Sequence, residues 1–547
     1  MSLLPSPDQL SLSEQVAQMV VARTTGHLFD HEIEYPQWEA TQSTLERCLG
    51  DLGIGGVILL GGSAAEVGLR SQQLQSLAKY PLLIAADIEE GVGQRFSGAT
   101  RFPPPLALGE LTRRDWAEGI AAAEQMGRYT AQEAAAIGLN WLLAPVVDVN
   151  NNSANPVINV RAFGQSPELV TPLIQAFIRG AQDFPVLTTA KHFPGHGDTA
   201  VDSHLSLPVL NHDYERLRQI ELAPFVGAIA AGVDSVMTAH LRLPAIDPQR
   251  PATLSKPILT GLLRHDLGFD GLIVTDALVM GSITQHYGPS EAAVLAVEAG
   301  ADILLMPADV EGAIAAVCEA VQVGRIAAEQ VRAAVERIWR AKLKTSTVRL
   351  PQGETCHAWE QIEPPPVRLT QLATAPARAA AADLTQSSMR LQNLPLAARS
   401  GGHNLILVDD MLNNPALVRT APAVILPAQH RYQLRPIDPH WAEPKLLKDN
   451  PQPTLLQLFI RGNPFRSSAQ LTQLAQDYLQ ILLALDCLAA LVLYGSPYVW
   501  ERFQPMIPAD LPGIFTYGQD GMAQALALRS LFGTASASKP VDLAFTD

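Results

Sequence analysis

Along the first 345 residues, short apolar runs rich in Val, Ile and Leu alternate with longer stretches whose apolar positions recur at helical spacing. Eight such runs stand out, at Gln18–Ala22, Gly55–Leu60, Leu82–Asp87, Leu139–Asp148, Val186–His192, Asp234–His240, Gly271–Asp276 and Ala301–Met306. Between them lie amphipathic segments such as Trp116–Ile137, Pro167–Gln182 and Glu291–Ala299. A short run without alternation suits a strand covered on both faces, and strands separated by helices suit parallel pairing through crossovers. Gly138 and Gly300 fall where a helix C-cap favours a residue tolerant of positive φ. Eight strand–helix units predict a closed (β/α)8 barrel of the TIM type over residues 1–345.

After the Ala-, Arg- and Glu-rich helix predicted at Ala327–Leu343 the pattern changes. Residues 346–400, with Pro364, Pro365 and Pro366 and an Ala-rich stretch, suggest a linker with some helix. Residues 401–547 form the second expected domain, an α/β sandwich. Its predicted strands are Asn404–Val408, Ala423–Leu426, Leu455–Ile460, Ala490–Tyr494 and Gly513–Tyr517, with helices at Ser468–Leu485 and Gly521–Leu531. The fold class expected is therefore α/β throughout.

Composition narrows the partners. With 47% hydrophobic and 17% charged residues in 547, the chain can bury a large core. A net charge of −15 with no basic stripe argues against nucleic acid, which demands phosphate-neutralising surface. The N-terminal MSLLPSPDQLSLSEQVAQMVV lacks a charged segment followed by a long apolar one, and no run is long enough to span a bilayer. A cytoplasmic protein with no membrane partner is the expectation. Cys48, Cys318, Cys356 and Cys487 form no CxxC pair, so neither a disulfide framework nor a thiolate metal site is expected.

Polar residues gather at the predicted strand ends: Asp87, Asp148, Lys191 with His192, His240 and Asp276. Any one of them could cap the helix that follows. Five strands ending alike point to the C-terminal face of the barrel, where the βα loops carry chemistry. The segment KHFPGHGDTAVDSH, from Lys191 to His204, is the densest of these clusters. Its histidines and aspartates admit a metal site as an alternative. Against that reading, His192 and His196 stand four apart across Phe-Pro-Gly on a Gly/Pro-rich loop rather than on a helix as in helical zinc sites, and Lys191 would place a cation beside the metal. No metal or other cofactor is expected.

The KHFPGHG and DSH elements of this segment resemble the signature of glycoside hydrolase family 3, in its β-N-acetylglucosaminidase branch. Further matches follow in the family's order over roughly residues 10–345: Asp87 with Gln94, Arg95 and Phe96; LAPVVD ending at Asp148; NPVI from Asn155; RAFG from Arg161; MTAH ending at His240; PATLS from Pro251; and Thr275 with Asp276. The second domain is only loosely similar to the C-terminal domain of longer members. The resemblance implies a retaining, exo-acting hydrolase with Asp276 as nucleophile, His204 as acid/base and Asp202 as its partner. It implies that Asp87, Arg95, Arg161, Lys191 and His192 bind the sugar, that His196 and Asp198 brace the loop, and that Asp148 stands behind them. The expected partner is a small N-acetylglucosaminide, from muropeptides by analogy with that branch, and the chain itself is expected as a monomer or weak homo-oligomer.

Two departures bear on specificity. Glu90 and Val92 replace the family's usual Gly and Arg, which is expected to alter loop shape and charge near the sugar, and Ala277 stands where an acidic residue is frequent. A β-glucosidase, a glycoside phosphorylase and a sugar-binding protein without catalysis therefore remain the rival readings.

Overall fold

The computed structural model describes residues 4–199, 207–345, 347–349, 355–357, 367–396, 401–441, 451–462 and 468–534. They form two compact units, one of residues 1–101 with 115–378 and the other of 102–114 with 379–547.

In the first unit, eight parallel strands run in chain order: β1 (Val20–Thr25), β2 (Gly56–Leu60), β3 (Leu83–Ala86), β4 (Trp141–Leu142), β5 (Thr189–Phe193), β6 (Ser235–Thr238), β7 (Leu272–Val274) and β8 (Leu304–Leu305). Continuous ladders join β4-β3-β2-β1-β8 and β5-β6-β7. Single bridges, Trp141↔Leu187 and Val274↔Ile303, complete the ring. Each strand falls within or beside an apolar run predicted above, because runs bounded by Gly and polar residues leave little freedom in where a buried strand starts and stops.

The two seams with thin backbone pairing are reinforced by side chains. At the first, Trp141 Nε1 donates to Thr189 Oγ1 and Ser235 Oγ at 2.9 and 3.0 Å inside the barrel. At the second, Asp302 accepts from Ile273 N at 2.8 Å and pairs with Arg264 and Arg337 at 2.7 and 2.9 Å. Buried polar groups are tolerated in this way only when partnered. The helices end as predicted at Gly138 and Gly300, with φ of 79° and 111°. A side chain at either position would sit in the left-handed region that L-residues disfavour.

The stretch expected as a linker holds an antiparallel ribbon, β9 (Thr347–Arg349) with β10 (Thr355–His357), then a helix at Ala375–Ser388 and strand β11 (Arg390–Gln392). In the second unit β11 joins β12 (Gly402–Leu407), β13 (Tyr432–Ile437), β14 (Thr454–Ile460), β15 (Leu488–Gly495) and β16 (Gly513–Thr516) in the order β11-β16-β15-β14-β12-β13. All neighbours are parallel except β11 against β16. Every residue of β14 is buried, as a central strand covered on both faces requires.

One expectation for this sheet needs correction, and β13 is a strand that the apolar pattern does not predict. Ala423–Leu426, expected as a strand, lies in a helix at Pro422–Gln429. Its buried positions are Ala423 and Pro427, four apart, while Ile425 is 41% exposed, which is helical rather than alternating burial. The strand that does pair there, β13, is an edge strand whose Gln433, Leu434 and Arg435 are exposed, so it carries no strong apolar signal. Among the described residues, no helix is long and apolar enough to cross a membrane.

Candidate active site

The charged residues predicted at the strand ends meet at the C-terminal mouth of the barrel. Asp87 follows β3, Lys191 and His192 lie within β5, and Arg161 closes a short turn at Asn159–Arg161 after β4. Lys191 Nζ is almost fully buried and bridges Asp87 Oδ1 at 2.8 Å and Glu89 Oε1 at 2.6 Å. Glu89 in turn receives Arg161 through Nε and NH2 at 2.9 and 2.8 Å, a bidentate pairing that fixes the guanidinium plane. The result is two carboxylates and two cations alternating within hydrogen-bond reach.

Burial would raise both carboxyls, but the cations beside them prevail. Arg161 and Lys191 hold Glu89 well below the usual carboxylate range, and Lys191 and Arg95 hold Asp87 below it. Burial likewise opposes the charge on Lys191, which Asp87 and Glu89 restore, so its pKa is raised. Asp87 is the open member of the group, with about a third of its side chain exposed (34%). Arg95 donates Nε to the Asp87 carbonyl at 3.0 Å and is itself exposed.

Asp148 organises the next layer. Its carboxylate accepts the backbone N–H of His192 at 3.2 and 3.3 Å and that of His196 at 2.7 Å, and contacts His192 Nδ1 at 2.8 Å. With Nδ1 held there, the His192 ring turns Nε2 toward Arg161 NH2, 3.5 Å away. His196 is 2% exposed, bonds Thr199 Oγ1 through Nδ1 at 2.8 Å, and has no hydrogen-bond partner at Nε2 among the described residues. Burial drives its pKa down to about 4, against the pull of Asp148. The imidazole is therefore neutral near pH ~7.

Asp276 stands two residues beyond β7 and is half-buried. Its N–H donates to Thr238 Oγ1 at 3.3 Å and its Oδ1 accepts from Ala277 N at 2.7 Å. The next helix, Gly281–Tyr287, is capped at Met280, so Asp276 is not its cap. Asp276 follows β7 at the end of the barrel that also carries Asp87 after β3 and Lys191 in β5. His240, by contrast, is sealed in by Thr253 Oγ1 at 2.8 Å and the Ala277 carbonyl at 3.0 Å. Asp202 and His204 lie outside the described residues.

The departures from the family pattern resolve locally. Glu90 is fully buried and pairs with Arg101 NH2 at 3.0 Å, so its added charge is matched within its own loop, and Val92 packs in the core. Glu89 was not singled out from the sequence, although it bridges the two cations. A carboxylate two residues from Asp87 puts it at the same strand end, but its partner Arg161 is 72 residues away and only folding brings them together. As for the metal alternative, His192 and His196 are engaged by Asp148 and Thr199. Asp198, His212 and Glu221 do converge, yet Arg216 NH2 lies 3.6 and 3.2 Å from the two carboxylates, a poor neighbour for a cation.

The described family "Glycosyl hydrolase family 3 N terminal domain" matches residues 11–341, and "Bacterial Glycosyl hydrolase family 3 C-terminal domain" matches residues 396–533. The chain is 39% identical over 308 residues to Beta-hexosaminidase A of Pseudoalteromonas piscicida, covering 52% of this chain and 50% of that protein. It is 34% identical over 301 residues to a Beta-N-acetylglucosaminidase/beta-glucosidase of Cellulomonas fimi, covering 53% and 52%. The chain thus spans about half the length of these two relatives. A solved family 3 β-N-acetylglucosaminidase from Paenibacillus sp. str. FPU-7 superposes with a TM-score of 0.76 at 30% identity, over 96% of this chain and 97% of that one. With the first match covering more than half of its length and the second most of the remaining domain, this chain belongs to glycosyl hydrolase family 3.

Proposed function

We propose that the protein is a retaining, exo-acting β-N-acetylglucosaminidase that removes terminal β-linked N-acetylglucosamine, with muropeptide fragments as its natural substrates. The observation that carries this reading is the Asp87–Lys191–Glu89–Arg161 cluster at the same end of the barrel at which Asp276 follows β7. The relatives' names supply the sugar.

In this reading the Asp276 carboxylate attacks the anomeric carbon as the glycosidic C–O bond breaks, and His204 gives its proton to the leaving oxygen. Asp202 holds the His204 tautomer and stabilises the imidazolium. The glycosyl ester at Asp276 is then opened by water, whose proton returns to His204 as the C–O bond to Asp276 breaks. A histidine suits both steps because imidazole titrates near pH ~6.5. Asp87 accepts from sugar hydroxyls, while Lys191, Arg161, Arg95 and His192 contact the ring substituents. Their mutual pairing holds them in place before substrate arrives, so little reorganisation opposes binding.

The test is trapping with a 5-fluoro N-acetylglucosaminyl fluoride, followed by peptide mass spectrometry. A single label on Asp276 is expected, with the β-anomer appearing first by NMR during turnover. A label on another residue, or first release of the α-anomer, overturns the mechanism. Parallel rates on aryl glucosides, and with added phosphate, separate the glucosidase and phosphorylase readings, since only a phosphorylase yields glycosyl phosphate.

A further inference from the structure

The first barrel strand carries a buried ion pair outside the charge cluster described above. Arg23, in β1, pairs with Glu39 at 3.1 Å, and the two side chains are 13% and 2% exposed. Its neighbours fix the direction in which Arg23 points. Thr24 Oγ1 lies 3.5 Å from NH2 of Arg70, on the helix Ala64–Leu77 that packs outside the barrel, so Thr24 faces outward and Arg23, one residue before it, faces the interior. The ladder agrees: Arg23 is level with Ile58, Ile58 with Ala85, and Ala85 with Trp141, whose ring lies inside the barrel. Asp87, two residues beyond Ala85, shares that face. With strands about 4.8 Å apart and a rise of about 3.3 Å per residue, the backbones of Arg23 and Asp87 stand roughly 12 Å apart across the sheet, a span that a disaccharide bridges.

A loop stands on this ion pair. It leaves β1 at Thr25 and returns beside the strand at Ala40, whose N–H donates to the Arg23 carbonyl at 3.0 Å, while Asp30 braces it by accepting from Gln42 N at 3.0 Å. Within the loop Tyr35 and Trp38 stack with centroids 5.7 Å apart. The Arg23 guanidinium carbon lies 5.0 Å from the centre of the Tyr35 ring and 5.5 Å from that of Trp38. NH2 of Arg23 donates to Glu39, and Nε has no hydrogen-bond partner among the described residues, so the rings rather than further hydrogen bonds hold the guanidinium plane. Because Arg23 points inward, rings seated on it stand over the mouth and not over the helices outside. Trp38 is half-buried, and Tyr35 is 38% exposed.

We propose that Tyr35 and Trp38, seated on Arg23 and Glu39, form an aromatic wall of the leaving-group subsite and stack on the sugar ring next to the bond that is cleaved. The proposal rests on the exo-acting reading: nothing extends beyond the terminal sugar on its non-reducing side, so a second ring that reaches this wall belongs to the leaving group. The chemistry suits a pyranose, whose C–H face packs on an aromatic ring while its hydroxyls stay toward water. Aromatic side chains bring a large contact area with few rotatable bonds. A buried ion pair adds little to stability beyond what apolar residues of the same volume would give. Its use under this loop is as a fixed seat, which keeps the two rings in place before substrate arrives.

The experiment compares kcat/KM on N,N′-diacetylchitobiose with kcat/KM on methyl β-N-acetylglucosaminide, whose leaving group also needs a proton but has no ring. Tyr35→Ala is expected to lose about tenfold on the disaccharide, mostly through KM, and less than twofold on the methyl glycoside. Tyr35→Phe, which keeps the ring, is expected to stay within about twofold of the unmodified protein on both. Both rates scale with the folded fraction, so their ratio does not depend on how stable a variant is. Equal losses on the two substrates, or no loss on the disaccharide, overturn the wall and leave the glycosidase reading standing. If the unmodified protein releases N-acetylglucosamine from neither substrate, that reading itself falls and the wall with it.

Discussion

Both sheets of this molecule bury polar side chains at their centres, and they neutralise them in opposite ways. At the barrel mouth Lys191, Glu89 and Arg161 are kept as ions, matched charge against charge at 2.6 to 2.9 Å. In the second sheet the buried set is Asn404, Gln457 and Tyr494, joined by neutral bonds: Tyr494 OH to Gln457 Oε1 at 2.9 Å and Gln457 Nε2 to Asn404 Oδ1 at 2.6 Å. Buried ions cost several kcal/mol each to desolvate, and apolar residues of similar volume are often as stable or more so. For folding alone the neutral solution is the less costly one. Under the proposed function the barrel mouth keeps charges because a sugar with many hydroxyls, and a transition state with developing positive charge, are recognised by charges held in fixed places.

That contrast is broken most sharply at Asp276. Asp276→Asn is expected to lower kcat/KM on aryl N-acetylglucosaminides by on the order of 10⁴-fold or more, since the proposed mechanism is then left without its nucleophile. Its stability should stay within about 0.5 kcal/mol, because the side chain is half-buried and supports no helix. A loss below tenfold in kcat/KM would show that the charges at the mouth serve something other than this attack.

The next largest effect falls on Lys191. Lys191→Met leaves Asp87 and Glu89 facing each other, with Arg161 and Arg95 as the remaining cations. Breaking a buried pair costs about 3–5 kcal/mol, and the lower half of that range applies here because Glu89 retains Arg161. Urea unfolding of the barrel reads this loss. An unchanged midpoint would mean that the mouth is wet enough to solvate the carboxylates, and the comparison with the second sheet would lose its physical basis.

The same contrast decides what could be read before the structure. Barrel strands were legible because each is a short apolar run with a polar end, and the polar ends named Asp87, Lys191, His192 and Asp276 at once. Glu89, and the pairing of Asp198 with His212, were not, since nothing in a linear pattern says which carboxylate meets which cation. In the second sheet, β13 failed to signal itself because an edge strand with Arg435 and Pro436 lacks burial on both faces. The apolar run at Pro422–Gln429 misled because four or five apolar residues look alike in a strand and in one buried turn of helix.

His196 gives the barrel mouth a pH dependence that the second sheet's neutral trio lacks. Its folded pKa of about 4 lies below its ordinary 6.5, so as pH falls the unfolded chain takes up the proton first. Stability is therefore lost progressively from 6.5 down to about 4 and no further below that. The whole window amounts to at most about 3 kcal/mol. His196→Asn, which has no titrating group, should flatten the urea midpoint across that window while leaving the decline at lower pH, where Glu89 and Asp87 protonate. The carboxylate contribution has the opposite origin: it is present above their ordinary values and lost as pH falls through the depressed ones.

The smallest effect tests the neutral side of the comparison. Tyr494→Phe keeps the ring stacked on Phe459, whose centroid is 4.5 Å away, and removes only the hydroxyl that Gln457 Oε1 accepts. Gln457 still donates to Asn404 and to the Ala423 carbonyl, so one acceptor is left unpaired, at a cost of about 1 kcal/mol. Hydrogen exchange of the β14 and β15 amides should quicken about fivefold, and kcat/KM should not move. In alkali the order reverses. Burial holds the Tyr494 phenol well above its ordinary pKa, so above pH ~10 the unfolded chain releases a proton that the folded one retains, and the unmodified protein loses stability that the Phe variant does not. Were Tyr494→Phe to change kcat/KM more than twofold while exchange stayed the same, the neutral trio would belong to the chemistry, and the division between a sheet that folds and a barrel that reacts would fail.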